Sequence, residues 1–366
     1  MPHKVLVLGL GKVGSLVGRL LKDTGFEVGA IDSEERDDFP FPVFRGDVRD
    51  GKALGKQIAG YDAVVSCLPY DLNKTVVEAA VASGVHYFDL TEDVAAARHI
   101  KALSASADCV LAPQCGLAPG FISIVGANLA KAFDEIRSFR LRVGALPQSP
   151  RGMLGYAFNW SPEGVVNQYL NDCEVIHGGE RKTVPAMQNR ETLVIEGHKL
   201  EAFTTSGGLG TMCETFEGSV SDLNYKTIRY PGHLDLMRFY FHEILMKNNR
   251  PLAGEILVNA LPPVSKDVVY VYAAVDGWKT VSGRREHMLD EFVHAYLPRR
   301  MTGDTWRAIS WTTACSACAV IEMLFAGRLP HKTGFLKQEE VSLADFLKTR
   351  NGRHFQPGGN HHPAVT

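Results

Sequence analysis

Lys4-Val5-Leu6-Val7-Leu8-Gly9-Leu10-Gly11-Lys12-Val13-Gly14 is the stretch that decides the fold: an apolar run that breaks into GxGxxG close to the N-terminus. At a dinucleotide site Gly9 makes the tight turn, Gly11 lets the backbone approach a pyrophosphate, and Gly14 lets the following helix pack closely on the strand. The N-terminus of that helix then faces the phosphate charge, and Lys12 and Val13 of the same loop are expected to touch the cofactor. The second strand, Glu27-Val28-Gly29-Ala30-Ile31, ends in Asp32, near the ~20-residue offset at which an acid accepts from the adenosine ribose hydroxyls. Asp32 repels a 2′-phosphate and so favours NAD, while Arg36 lies close enough in sequence to keep NADP open. A lower KM for NADP than for NAD overturns that preference.

Outward from this loop, apolar strands near 4–9, 27–31, 41–44, 62–67, 85–88 and 108–112 alternate with helical segments, which reads as α/β, a Rossmann-type doubly wound parallel sheet. The third strand runs into Asp47 and Val48, where an Asp accepts from the adenine amino group or simply forms the turn. The fourth ends in Ser66-Cys67-Leu68-Pro69-Tyr70, at the switch point of such a sheet, so backbone groups of Ser66, Cys67 and Leu68 are expected at the cofactor. The sixth leads into Cys115-Gly116-Leu117-Ala118-Pro119-Gly120-Phe121, with a helix expected from near Gly120 and the backbone of Ala118, Pro119 and Gly120 facing the nicotinamide. Cys115 reads as packing rather than as a reactive thiol.

At 366 residues the chain exceeds what one core usually supports, so two domains are expected. The first is 1–122, completed by helices at about 305–350. The second, 123–304, is an α+β substrate and dimerisation domain of longer strands, and 355–366 is an aperiodic, mobile tail in which paired histidines bind metal only adventitiously. A 45% hydrophobic and 22% charged composition is ordinary for a globular protein. The net charge of −2 offers no basic face to nucleic acid and no polybasic anchor to a membrane, leaving a small molecule as the partner. No apolar run is expected to reach the ~18 residues of a membrane span, and Met1-Pro2-His3-Lys4 leads straight into the first strand, so a cytoplasmic location is expected. Seven cysteines, an odd number, fit a reducing compartment, and the CxxC of Cys315 and Cys318 lies inside a helical segment where packing explains it better than metal or redox chemistry.

Three loop motifs of the second domain carry the chemistry: Gly155-Tyr156 with Trp160-Ser161-Pro162-Glu163-Gly164-Val165-Val166-Asn167-Gln168-Tyr169, then Thr204-Thr205-Ser206-Gly207-Gly208, then Lys226-Thr227-Ile228-Arg229-Tyr230-Pro231-Gly232-His233. A guanidinium holds a carboxylate bidentately, so Arg229 is assigned to an amino-acid carboxylate. His233 or Lys226 is assigned to proton transfer, and Tyr156 and Asn167 to substrate orientation. Tyr70 and Lys74 have the YxxxK spacing of short-chain dehydrogenases but stand too early in the chain for that motif.

With GLGKVG, SCLPY, CGLAPGF, WSPEG, TSGG and KTIRYPGH in order over residues 4–350, the chain resembles the saccharopine dehydrogenase family in its reductase-type branch, and looks most similar to the lysine 6-dehydrogenases within it. That resemblance implies a two-domain, usually dimeric enzyme exchanging a hydride between NAD, or NADP, and a carbon bearing an amino-acid nitrogen. A carboxynorspermidine-type reductive condensation uses the same scaffold, and a non-catalytic NAD-binding sensor is the alternative of another class.

Overall fold

The computed structural model describes residues 1–356. They form two compact units, one of Met1–Ile124, Arg300–Asp304 and the chain from Ser310 on, the other of Val125–Arg299 and Thr305–Ile309.

The first unit contains β1 (Lys4–Leu8), α1 (Gly14–Thr24), β2 (Glu27–Asp32), β3 (Val43–Arg45), α2 (Gly51–Ile58), β4 (Ala63–Ser66), α3 (Asn73–Ala82), β5 (His86–Asp89), α4 (Val94–Leu103) and β6 (Val110–Ala112). The chain then enters α5 (Ile122–Ala130), which leads into the second unit. Val5, Leu6, Val7 and Leu8 are all fully buried, as a parallel strand covered on both faces requires. Burying each such side chain contributes about 1.5–3 kcal/mol.

The second unit contains β7 (Glu135–Pro147), α6 (Pro162–Leu170), β8 (Cys173–His177), β9 (Glu180–Val184), β10 (Glu191–Ile195), β11 (His198–Thr204), α7 (Met212–Phe216), β12 (Val220–Arg229), α8 (His233–Arg238), α9 (Arg250–Ala260), β13 (Asp267–Val281) and β14 (Arg284–Tyr296). The strands form a mixed sheet ordered β10-β11-β12-β7-β13-β14, with β8 also on β12 and β9 on β8. Only β12 and β7 pair in parallel.

The chain returns through the short pair β15 (Arg299–Met301) and β16 (Asp304–Trp306), then α10 (Ala308–Phe325), β17 (Gly334–Phe335) and α11 (Leu343–Phe346). The first unit's sheet is thus ordered β17-β6-β5-β4-β1-β2-β3 with every pair parallel. The order reverses between β1 and β4, where ligands bind at the carboxyl ends of such strands.

Two sequence expectations are corrected here. Over 18 residues α10 reaches a mean hydropathy of 1.5, long and apolar enough to span a bilayer; 72% of it is buried, and the thiol of Cys318 lies 3.7 Å from the Val17 carbonyl, so it is a core helix. Phe355, counted with the tail, is buried and stacks on Phe121 at 4.0 Å; residues 357–366 lie outside those described.

Candidate active site

The glycine loop of the first unit is shaped for a dinucleotide. Gly9 sits at φ +83°, and a Cβ on Gly14 would stand 1.9 Å from the Gly9 carbonyl oxygen, so α1 packs directly on the loop. A Cβ on Gly11 would meet nothing within 4 Å, and α1 starts without a side-chain cap. That open cradle beside an uncapped helix start fits a pyrophosphate.

Asp32 receives the Leu10 amide on Oδ2 at 2.6 Å and the Glu34 amide on Oδ1 at 3.0 Å, which fixes the loop against the end of β2. A carboxylate has about four acceptor positions, so two remain for a ribose. Asp47 makes the turn, its Oδ1 receiving the Arg49 amide at 3.0 Å, while Val48 is buried. Of the three β4-end residues, Cys67 donates its N–H to the Leu8 carbonyl at 2.9 Å, which leaves its carbonyl as the backbone group it has to offer. Its thiol is pushed up to about 12, chiefly by burial. Ser66 is buried with its hydroxyl on Asn73 at 2.7 Å, and Leu68 packs over Gly9. Ala118, Pro119 and Gly120 lie in the turn before α5, which begins at Ile122, two residues beyond Gly120 at φ +129°. Cys115 is packing: burial raises its thiol well above the ordinary range, and Gln338 Nε2 lies 3.2 Å from its sulfur.

In the second unit, Ser161 caps α6 by accepting the Gly164 amide at 3.1 Å, with Pro162 and Glu163 in the first turn. This start sets the helix phase that buries Tyr169. Gly232, at φ +94°, turns the chain into α8, and Glu201 receives the amides of Gly232 at 3.1 Å and Leu234 at 2.7 Å. His233 is thereby held in place.

Arg229, 2% exposed, lies at the centre. Its Nε donates to the Tyr169 hydroxyl at 2.8 Å, and its Nη1 donates to the Thr227 hydroxyl at 2.6 Å and the Ile228 carbonyl at 2.8 Å. The guanidinium carbon stands 4.7 Å over the Tyr156 ring and 5.6 Å from that of Tyr169. Among the described residues Nη2 has no hydrogen-bond partner and Arg229 has no carboxylate within ion-pair distance. Burial opposes its charge, while Tyr169 and Tyr156 hold its pKa above the ordinary value.

The hydrogen-bond chain has one possible direction. His233 Nδ1 lies 2.9 Å from the Leu154 carbonyl, which only accepts, so the ring proton is on Nδ1. Nε2 therefore accepts from the Tyr169 hydroxyl at 2.9 Å, and the Tyr169 oxygen in turn accepts from Arg229. Burial first, and Arg229 second, press the imidazole pKa down to about 3. His233 is consequently neutral and positions Tyr169, in place of the proton transfer expected of it. Replacing Tyr169 with Phe removes the hydroxyl between the two, leaves Arg229 Nε and His233 Nε2 without it, and is expected to lower stability by about 1–3 kcal/mol in a denaturant titration.

The histidine also predicts an acid slope. Its folded pKa lies below its unfolded value, so the unfolded chain binds the extra proton between about pH 6.5 and pH 3. Stability is full above that window and falls as pH drops through it, by about 1.4 kcal/mol per unit. Denaturant titrations of wild type and His233→Asn should show that slope and its loss in the variant.

Lys226 does not join Arg229. Three positions apart on β12, they point to opposite faces, and Lys226 pairs in register with Arg142. Its ammonium donates to Glu191 at 2.8 Å, beside the Arg142–Glu191 ion pair, and its pKa is lowered by burial and by Arg142. Asn167 is also elsewhere: its amide oxygen receives Arg250 at 2.9 Å. Tyr156 does reach the cluster, 4% exposed, with its hydroxyl receiving the Trp160 indole N–H at 3.0 Å. The sequence pattern assigns no role to Tyr169, although it stands two residues beyond Asn167 in the same motif, nor to Asp89, an acid closing an apolar strand.

Residues 5–110 match the family model described as the saccharopine dehydrogenase NADP binding domain, and residues 116–350 match the saccharopine dehydrogenase C-terminal domain. The chain belongs to the saccharopine dehydrogenase family. Among the relatives of this saccharopine dehydrogenase family member, the NADP(+)-dependent, L-glutamate-forming saccharopine dehydrogenase of Schizosaccharomyces pombe is 26% identical over 152 residues, 40% of this chain and 34% of that protein. Its Saccharomyces cerevisiae counterpart is 28% identical over 144 residues, covering 38% and 32%. The alignments thus span about a third of those proteins. The apo saccharopine dehydrogenase (L-Glu forming) of Saccharomyces cerevisiae matches 94% of this family member and 96% of its own chain at a TM-score of 0.72 and 16% identity, which shows the shared fold.

Proposed function

We propose that the chain is an NAD(P)-dependent oxidoreductase acting on a CH–NH2 or CH–NH group of lysine or a lysine-derived opine, with L-lysine itself the favoured substrate. The observation that carries this reading is the buried Arg229 guanidinium, which has no carboxylate counterion among the described residues and an unused Nη2. A buried charge is costly unless something pairs with it, and an amino-acid carboxylate is the natural partner. One such cation suits one carboxylate; saccharopine carries three.

Gly9, Gly11, Gly14 and Asp32 of the first unit would hold the cofactor, which when bound would supply a hydride acceptor. Arg229 anchors the carboxylate while Tyr156 covers the guanidinium face, holding the substrate by that end. Loss of hydride leaves an iminium on the substrate; water adds, and the carbinolamine collapses to an aldehyde and ammonium, which carries off the proton shed by the water. His233 is closed into its hydrogen-bond chain and Lys226 points to the other face, so the amine reaches the site already neutral. The rate is therefore expected to climb into the alkaline range without an inflection from His233.

Asp32 supports NAD, whereas the named relatives use NADP; Arg36 is occupied by Glu34 at 3.1 Å. Reduced-cofactor formation measured with L-lysine and with saccharopine, each with NAD and NADP, tests the reading. Turnover with lysine alone upholds it, turnover with saccharopine alone moves the substrate to the larger opine, and cofactor binding without turnover points to a sensor.

A further inference from the structure

The ends of β4, β5 and β6 meet on one buried carboxylate that the cofactor loop does not use. Asp89, the last residue of β5, is fully buried. Its Oδ1 receives the Thr91 amide at 3.0 Å and the Gln114 amide at 2.8 Å. Its Oδ2 receives the Tyr87 hydroxyl at 2.8 Å and the Asn73 amide at 3.4 Å. Asn73 in turn accepts the Ser66 hydroxyl at the end of β4. One side chain thus ties together the start of α3, the end of β4, the loop after β5 and the loop after β6.

The bond to Gln114 holds that residue at φ +65°, a left-handed conformation that non-glycine residues rarely adopt. The segment so held runs on into Ala118-Pro119-Gly120. These strand ends lie on the β4 side of the switch point, across it from the glycine loop and Asp32, which take the adenosine and pyrophosphate end of a dinucleotide.

We propose that ionised Asp89 is the positioning residue for the nicotinamide half of the cofactor site, ordering the β4, β5 and β6 ends that receive it while leaving the adenosine half untouched. The inference rests on the reading that the first unit binds NAD(P). Four donors converge on Asp89, and a carboxylate has acceptor positions for all four. A proton on the acid takes one position, so one buried donor loses its partner and the network loosens.

Burial raises the Asp89 pKa to about 6, against the pull of the Gln114, Thr91 and Tyr87 hydrogen bonds. The titratable groups facing it are Tyr87 on its own strand, Cys67 beyond β4 and Cys115 beyond β6, all pushed up by burial and therefore neutral near pH 6. No cation pairs with it among the described residues.

The test is equilibrium binding to the full chain between pH 5 and pH 8, with NAD, NADP and their fragments lacking nicotinamide, ADP-ribose and 2′-phospho-ADP-ribose. Expected is a dinucleotide Kd about tenfold weaker at pH 5 than at pH 7, with the fragments changing less than about twofold. In Asp89→Asn, which keeps an acceptor oxygen but cannot ionise, dinucleotide binding should be weak at every pH and the step absent. Parallel weakening of dinucleotide and fragment, or a step that persists in Asp89→Asn, overturns the proposal. The wild-type comparison decides even where the variant does not fold. Failure of dinucleotide and fragment alike to bind at any pH instead overturns the cofactor reading, and this inference with it.

Discussion

Arg229→Met is expected to raise the KM for the amine substrate by about 100- to 1,000-fold, corresponding to about 3–4 kcal/mol, while leaving the dinucleotide Kd within about twofold. The sign of the accompanying stability change makes the experiment decisive. Burial removes the hydration of the guanidinium, and the hydrogen bonds to Tyr169, Thr227 and Ile228 with the two tyrosine rings only offset that loss, so without a counterion the charge adds little to the stability of the fold. Methionine has similar reach and no charge. The melting temperature of the variant should therefore stay level or rise while kcat/KM collapses. A variant that melts much lower yet keeps its KM would make Arg229 a structural group and remove the main support for the amino-acid reading.

Two neighbouring glycines are expected to fail in different ways. A methyl on Gly14 would lie 1.9 Å from the Gly9 carbonyl oxygen and 3.0 Å from the Cys67 Cβ, so Gly14→Ala must push α1 away from β1. We expect a loss of at least about 3 kcal/mol in stability, with cofactor binding lost as a consequence. A methyl on Gly11 meets nothing, so Gly11→Ala should melt like wild type but bind the dinucleotide at least about 30-fold more weakly, since the methyl takes space the pyrophosphate needs. Melting curves with and without cofactor separate the two. Equal affinity in Gly11→Ala would show that the cradle holds something other than a pyrophosphate.

The parallel sheet was legible because its signals are local. The buried run of β1, the glycine spacing and Asp32 fall within one strand-turn-helix-strand unit, so periodicity and turn chemistry suffice. Arg229 stands out in the sequence for a related reason: a guanidinium beside Tyr230-Pro231-Gly232 and His233 is an unusual density of polar and turn-forming groups. What failed depends on register and distant partners. Lys226 and Arg229 look like one cluster along the chain, but strand alternation separates them, and Glu191, which claims Lys226, comes from another strand. His233 suits acid-base work by residue type; only its burial and the Leu154 carbonyl show that its proton is fixed. Asp89 gave no signal beyond an acid at a strand end, because its partners are gathered from α3, its own strand and loop, and the turn beyond β6.

The β10–β11 hairpin carries a carboxylate on each face. Glu201 on β11 faces the Arg229 side, where it holds the Gly232 and Leu234 amides; Glu191 on β10 faces the other way, clamping Lys226 and Arg142. The hairpin is therefore a latch with a bolt at each surface, and only one bolt touches the residues that order His233. Ionic strength works on such a latch chiefly from the Glu191 side, which is the more open of the two. Added salt should accordingly quicken amide exchange along β11, so the order of the Arg229, Tyr169 and His233 cluster answers to the ionic medium through the opposite face of the sheet.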